Sequence, residues 1–193
     1  MKKIHFNILS IMLLLCGQII VSCYKKEFQK NRFKVAVELI SYRDNTIQIF
    51  YKTKADERYY EKYSLVKKIK GSKSLQNLIF ELPIGIKPKN IRLDLGENEN
   101  ENDSIHLVNV SFQYKNLVVN GNYGVYKSWF VFNENVVEGK DSLTYNLKKV
   151  NTVFDPQLNG NRKLNAKLVK LFPPDINETN LFVPKKDNLK VGN

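Results

Sequence analysis

Cysteine and histidine are scarce in this chain, with two of each in 193 residues. That excludes a disulfide-rich scaffold and a four-cysteine zinc site, since each needs several thiols held together. Nine glycines and six prolines are too few for a collagen-like or low-complexity chain. No long apolar run follows residue 22, which excludes a polytopic membrane protein. Acidic residues are also short: 19 Asp and Glu face 31 Lys and Arg, a net charge of +12. The rest is ordinary for a packed domain, 42% hydrophobic and 26% charged, and the length suits one domain.

What is present begins with an address. Lys2 and Lys3 precede an apolar stretch from Ile8 to Val21, and no acidic residue occurs before Glu27. A positive start and a short apolar region form the pattern of a secretory signal peptide. A membrane-spanning helix needs about 20 apolar residues, and Gly17 and Gln18 interrupt this stretch short of that. Ile20-Val21-Ser22-Cys23 resembles the lipobox of bacterial lipoproteins. The resemblance implies cleavage after residue 22, a diacylglycerol on the Cys23 thiol and an acyl chain, such as palmitate, on the new amine. Cys16 does not compete, because Leu15 is too large for the small-residue position. Several acyl chains give stable anchoring, at about 0.8 kcal/mol per buried methylene. With Cys16 removed and Cys23 lipidated, no thiol is left for a nucleophile, a metal or a redox switch. Tyr24 does not resemble the Asp-type inner-membrane retention signal, which favours the outer membrane.

Residues 23–32 read as the lipidated cysteine and a basic tether. Residues 33–172 punctuate like an all-β domain. Phe33 to Ile40 and Thr46 to Lys52 alternate apolar and polar side chains, the pattern of half-buried strands. Tyr63–Ile69, Leu75–Leu82, Ile91–Leu95, Ser104–Tyr114, Trp129–Phe132 and Ser142–Val153 are further strand candidates. In Ser104–Tyr114, Val108, Val110, Phe112 and Tyr114 fall on one face, and Ile105 and Leu107 on the other. Short β-branched and aromatic runs at this spacing predict two sheets closed face to face. Asp155-Pro156 breaks the last run, and Leu164, Leu168, Val169 and Leu171 recur at helical spacing from Arg162 to Phe172. Residues 173–193 read as a polar tail.

Within this domain, residues 46–114 resemble a module of bacterial envelope lipoproteins and membrane-embedded polysaccharide-synthesis proteins. The resemblance is carried by Gln48-Ile49-Phe50-Tyr51, Tyr59-Tyr60-Glu61-Lys62-Tyr63-Ser64, Phe80-Glu81-Leu82-Pro83, Ile91-Arg92-Leu93-Asp94 and the alternating Ile105–Phe112. Leu95 stands where the pattern has proline, so the turn after Asp94 departs from it. The resemblance implies a jelly-roll-like antiparallel β-sandwich of the carbohydrate-binding type, with one short C-terminal helix added by the periodicity above. It implies no catalytic residues.

The chemistry-bearing residues are few. Tyr59, Tyr60 and Trp129 are candidate glycan-binding aromatics, because sugar C–H groups stack on ring faces. Trp129, followed by Phe130-Val131-Phe132, also suits the core. Glu61 and Ser64 read first as a turn pair whose side chains bond nearby backbone. His106, the one histidine after the signal, reads as a strand-edge residue rather than a base. No cofactor is expected. The one candidate ion is calcium, at Asp94, Glu97, Glu99 and Asp103, although the repeated Glu-Asn equally suits a solvated connection. A glycosidase would need a carboxylate pair across a cleft, for which Glu57, Glu61 and Asp94 are available. The lysine surplus is spread along an Asn-, Lys- and Ile-rich chain without a nucleic-acid motif, so no nucleic-acid partner is expected. The expectation is therefore a non-catalytic envelope lipoprotein that binds a glycan or docks an envelope protein. Cys23→Ser should abolish incorporation of labelled palmitate in an expressing bacterium; retained label would locate the lipid elsewhere.

Overall fold

The computed structural model describes residues 32–54, 58–97 and 103–172. The signal peptide, Cys23, tether residues 24–31, Glu57, Glu99 and the 173–193 tail lie outside them. Among these described residues, eleven strands build two antiparallel sheets. The first sheet contains β1 (Phe33–Ser41), β4 (Gln76–Glu81), β6 (Asp103–Tyr114), β7 (Leu117–Val119), β9 (Val136–Glu138) and β10 (Thr144–Leu147). Its order is β4-β1-β6-β10-β9, with β7 beside the far end of β6. The second sheet contains β2 (Asn45–Lys52), β3 (Ser64–Ile69), β5 (Asn90–Asp94), β8 (Phe130–Phe132) and β11 (Gln157–Gly160). Its order is β3-β2-β5-β11-β8. The chain crosses between the sheets from β1 to β2, from β3 to β4, from β4 to β5, from β5 to β6, from β7 to β8, from β8 to β9 and from β10 to β11. This is the expected jelly-roll-like sandwich, closed among the described residues by one short α-helix, α1 (Arg162–Lys170).

The core follows from the alternation. Phe33, Val35, Val37 and Leu39 of β1 are buried and face Ile47, Ile49 and Tyr51 of β2 and Ile91 and Leu93 of β5 within one apolar cluster. Each fully buried side chain of this kind contributes roughly 1.5–3 kcal/mol. Strand β6 departs from simple alternation. Its register with β1 shifts between Glu38 and Leu39, which face Asn109 and Leu107, so Val108 is an extra residue. This bulge reverses the phase of the strand. Ile105 and Leu107 therefore enter the same core as Val110 and Phe112, and the expected division onto opposite faces is corrected. Val108 itself is only partly buried.

The expected Ser142–Val153 strand is interrupted. β10 ends at Leu147, and Val150 and Val153 close a tight turn on which Asn151 and Thr152 have φ of 50° and 69°. Buried Asn135 explains the departure, since its Nδ2 donates to Lys148 O at 2.9 Å and to Val153 O at 2.8 Å. The chain resumes as β11 after Pro156, a strand too short and polar to announce itself. Helix α1 begins at Asn161, whose side chain accepts from Lys163 N at 2.8 Å and Leu164 N at 3.3 Å, a cap worth about 1 kcal/mol. Leu164, Leu168 and Leu171 then plug the core. Among the described residues, no helix is long and apolar enough to cross a membrane.

Tyr126 and Trp129, on a 3-10 helix spanning Val125–Trp129, fill the space between β6 and α1. The Tyr126 hydroxyl donates to Leu107 O at 2.7 Å and lies 3.0 Å from the Tyr145 hydroxyl. Gly121 lets this segment approach, because a Cβ there would lie 2.4 Å from Val110 O and 2.7 Å from the Tyr126 Cβ. Gly121→Ala should lower stability by about 1–3 kcal/mol, the usual cost of overpacking. An unchanged melting temperature would show that the segment yields freely.

Candidate functional site

Alternation leaves the second face of β2, β3, β5, β8 and β11 pointing out of the sandwich. The register places its side chains in two cross-strand rows. Ser64, Phe50, Arg92, Asn159 and Val131 form one; Val66, Gln48, Asp94 and Gln157 form the other. Cross-strand neighbours on one face are close enough to interact directly, and most of these are joined. Gln48 Nε2 donates to Glu61 Oε1 at 2.7 Å and to Ser64 Oγ at 3.0 Å. Ser64 Oγ donates to Glu61 O at 2.8 Å, the turn-type bond expected of this pair. Arg92 Nε and Nη2 donate to Asp94 Oδ1 and Oδ2 at 2.8 and 2.7 Å, a two-point grip. Gln157 Nε2 donates to Asp155 Oδ2 at 2.7 Å, and Asn159 Nδ2 to Gln157 Oε1 at 3.2 Å.

Aromatic rings bracket the guanidinium. The Arg92 carbon stands 4.1 Å from the Phe50 ring centre and 5.6 Å from that of Tyr59. A planar cation against a ring face is attracted by the ring's negative quadrupole. Phe50 is thereby buried on the outer face, where an apolar side chain would otherwise meet water. The Tyr59 hydroxyl is buried with no hydrogen-bond partner among the described residues. Burial, ahead of the opposing Arg92 charge, raises its pKa. Tyr60, by contrast, is 45% exposed and stands edge-on to Tyr63.

Above these rows lies a recess of about 310 Å³. Its floor is Thr46, Gln48, Phe50, Arg92 and Asp94, and its rim is Glu61, Gly96, Glu97, Phe154 and Asp155. It is acidic, with four carboxylates against one guanidinium, in a chain with a basic surplus. Asp94 is the most affected. Burial pushes its pKa up to about 6, opposed by the Arg92 hydrogen bonds and charge and reinforced by Asp155 and Glu61.

The aromatic candidates divide. Tyr59 lies beside this face against Arg92 and Tyr60 is exposed beside Tyr63, but Trp129 is 1% exposed, packs on Phe112 and has Lys167 over its ring. Its place as a ligand-binding residue is corrected, because the core needed the largest ring between β6 and α1. Of the calcium candidates, Asp94 has both oxygens on Arg92, Glu97 is an exposed rim residue and Glu99 lies outside the described residues. Asp103 starts β6 opposite Leu147, on the other sheet from Asp94. Among the described residues, no group of three or more His, Cys, Asp or Glu is arranged to hold a metal ion. His106 sits on the first sheet, with Nδ1 3.0 Å from Thr144 Oγ1 and 3.3 Å from Asp141 Oδ2, away from the recess. Asp155, Gln157 and Asn159 were not legible as site residues, since β11 itself was not; the outward alternation of Gln48 and Phe50 was the signal available for β2.

The fold defines the class as an all-β antiparallel sandwich with a polar, ring-edged recess on one sheet. Comparison with protein-family models, with curated proteins and with solved structures returns no match.

The raised pKa of Asp94 has a definite consequence for stability. A carboxyl whose folded pKa exceeds its ordinary 3.8 binds its proton more tightly in the folded state. Its contribution to stability is fully present below about pH 4 and is lost as pH rises through about 6. Asp94→Asn should flatten this part of the stability profile between those values, measured by denaturant unfolding; an unaltered slope would show that Asp94 titrates normally.

Proposed function

We propose that this chain is a bacterial envelope lipoprotein, anchored through Cys23, whose sandwich binds a glycan in the recess of the five-stranded sheet and catalyses nothing. The observation that carries the binding half is the pair of polar rows. Planar amides, a guanidinium and carboxylates stand at strand spacing with aromatic rings beside them, the mixture that hydroxyl groups and sugar C–H faces need. The pieces quoted for the envelope-module resemblance supply Gln48, Phe50, Tyr59, Glu61, Ser64, Arg92 and Asp94 to this one face. That supports a shared binding surface. The two-point grip of Arg92 supports binding over hydrolysis, because it occupies both Asp94 oxygens and leaves neither turned to a leaving group.

The anchoring half rests on the lipobox resemblance and on the apolar stretch before it. The outer membrane is the proposed location, with the glycan an envelope or surface polysaccharide.

The test is retention on a glycan array by the parent chain and by a Glu61→Ala/Glu97→Ala variant, two exposed residues of the recess rim. Both residues offer contacts without holding the core. Losing two contacts of about 0.7 kcal/mol each should weaken binding by about tenfold. Equal retention by both chains would remove the recess from the reading, and no retention by the parent on any glycan would remove the ligand class.

A further inference from the structure

One end of the sandwich collects features that the recess does not use. β1 enters there at Phe33, which pairs with Tyr114 at the end of β6, while Leu82 N donates to Phe33 O at 2.9 Å. The Phe172 ring lies 5.7 Å from Phe33 and 4.8 Å from Tyr114, so the described chain also leaves there. α1 lies across the same end, tied by Asn165 Nδ2 donating to Lys89 O at 2.8 Å. The surface formed by α1, the β4–β5 loop and the β6–β7 turn exposes Arg162, Lys163, Lys170, Lys89 and Lys115. None of these five pairs with a carboxylate among the described residues. Glu81, at this end, is already held by Lys34 and Arg32. Between the cations, Ile84, Leu117 and Val169 are 41%, 44% and 45% exposed.

The helix makes the pattern specific. Its nine residues contain four cations and no acid. Arg162 and Lys163 occupy the first turn, where the helix dipole favours anions and cations are unfavourable. Helix stability therefore does not account for them. Cations on an outer face with scattered apolar side chains, over a buried leucine stripe, are the composition of a surface that rests on anionic headgroups.

We propose that this end of the domain docks on anionic phospholipid, laying the outer face of α1 against the membrane that carries the Cys23 anchor. The inference rests on the anchor reading for its choice of membrane. Cys23 precedes Phe33 by about ten residues, a reach of at most about 36 Å, and the tether enters the fold at the docking end. Docking so arranged directs the recess away from the bilayer. Thr46, Asp94 and Gly96 belong to the opposite ends of β2 and β5, while Lys52 and Asn90 mark the ends nearest α1.

The test uses the chain from residue 23 onward carrying Cys23→Ser, so that neither the apolar Ile8–Val21 stretch nor an acyl chain contributes. Its co-sedimentation is measured with phosphatidylcholine vesicles, with and without phosphatidylglycerol, at low and high salt. The expected result is a strong gain with phosphatidylglycerol that high salt removes. The Arg162→Gln/Lys163→Gln/Lys170→Gln variant should lose about a hundredfold of that gain, roughly fivefold for each cation at an anionic surface. Its partitioning onto phosphatidylcholine alone and its melting temperature should be unchanged. A variant that partitions like its parent overturns the proposal, as does salt-sensitive retention on heparin beads without any preference for phosphatidylglycerol. Palmitate labelling of the unmodified chain reads the anchor separately, so failure of the anchor and failure of the docking surface are distinguishable.

Discussion

The pairing of β1 with β6 is the contact on which the rest of the sandwich depends. It is the longest ladder among the described residues and joins β4 on one side to β10 and β7 on the other. Its bulge at Val108 is what allows a twelve-residue strand with two apolar phases to bury both. Without the extra residue, either Ile105 and Leu107 or Val110 and Phe112 would face water. The core against the second sheet would then lose half of one wall. The same strand supplies Leu107 O to Tyr126 and Asn109 Oδ1 to Gly121 N, so the 3-10 helix that seats Trp129 is fixed by it too.

A rigid first sheet leaves the second free to carry chemistry on its outer face. Jelly-roll connections bring β2, β5 and β11 together from positions far apart in the chain, with Gln48 and Gln157 both opposite Asp94. The polar rows are therefore products of topology, and their order is maintained by ladder register. A slip of one residue on β5 would put Ile91 and Leu93 on the outer face and send Arg92 and Asp94 into the core. The charge distribution follows a similar division. The acidic recess occupies one end of the second sheet and the cationic helix closes the other end of the domain. A chain with a large basic surplus thus has two surfaces of opposite sign, and its net charge describes neither.

Legibility differed by element for physical reasons. β1, β2, β5 and α1 could be read because each carries a regular apolar period with one buried face. β7, β9 and β11 could not, since each is three or four residues long and owes its strand conformation to a neighbour's ladder. The Ser142–Val153 run read as continuous because its residues favour strands, yet a single buried amide at Asn135 bends it away. Trp129 carried the same ambiguity: a large ring before a strand suits a sugar platform or a core, and local sequence does not say which side of the sheet it meets.

Local pattern alone determined the all-β class, the main strands, the terminal helix and the scarcity of thiol and imidazole, since these depend on residue type and period. Tertiary structure alone decided that Trp129 is core, that β6 buries both of its phases, that Gln48, Arg92, Asp94 and Gln157 share a face, and that the basic residues of α1 gather at the end where β1 begins. Those outcomes depend on which strands pair and in what register, a property of contacts distant in sequence that no window of neighbouring residues contains.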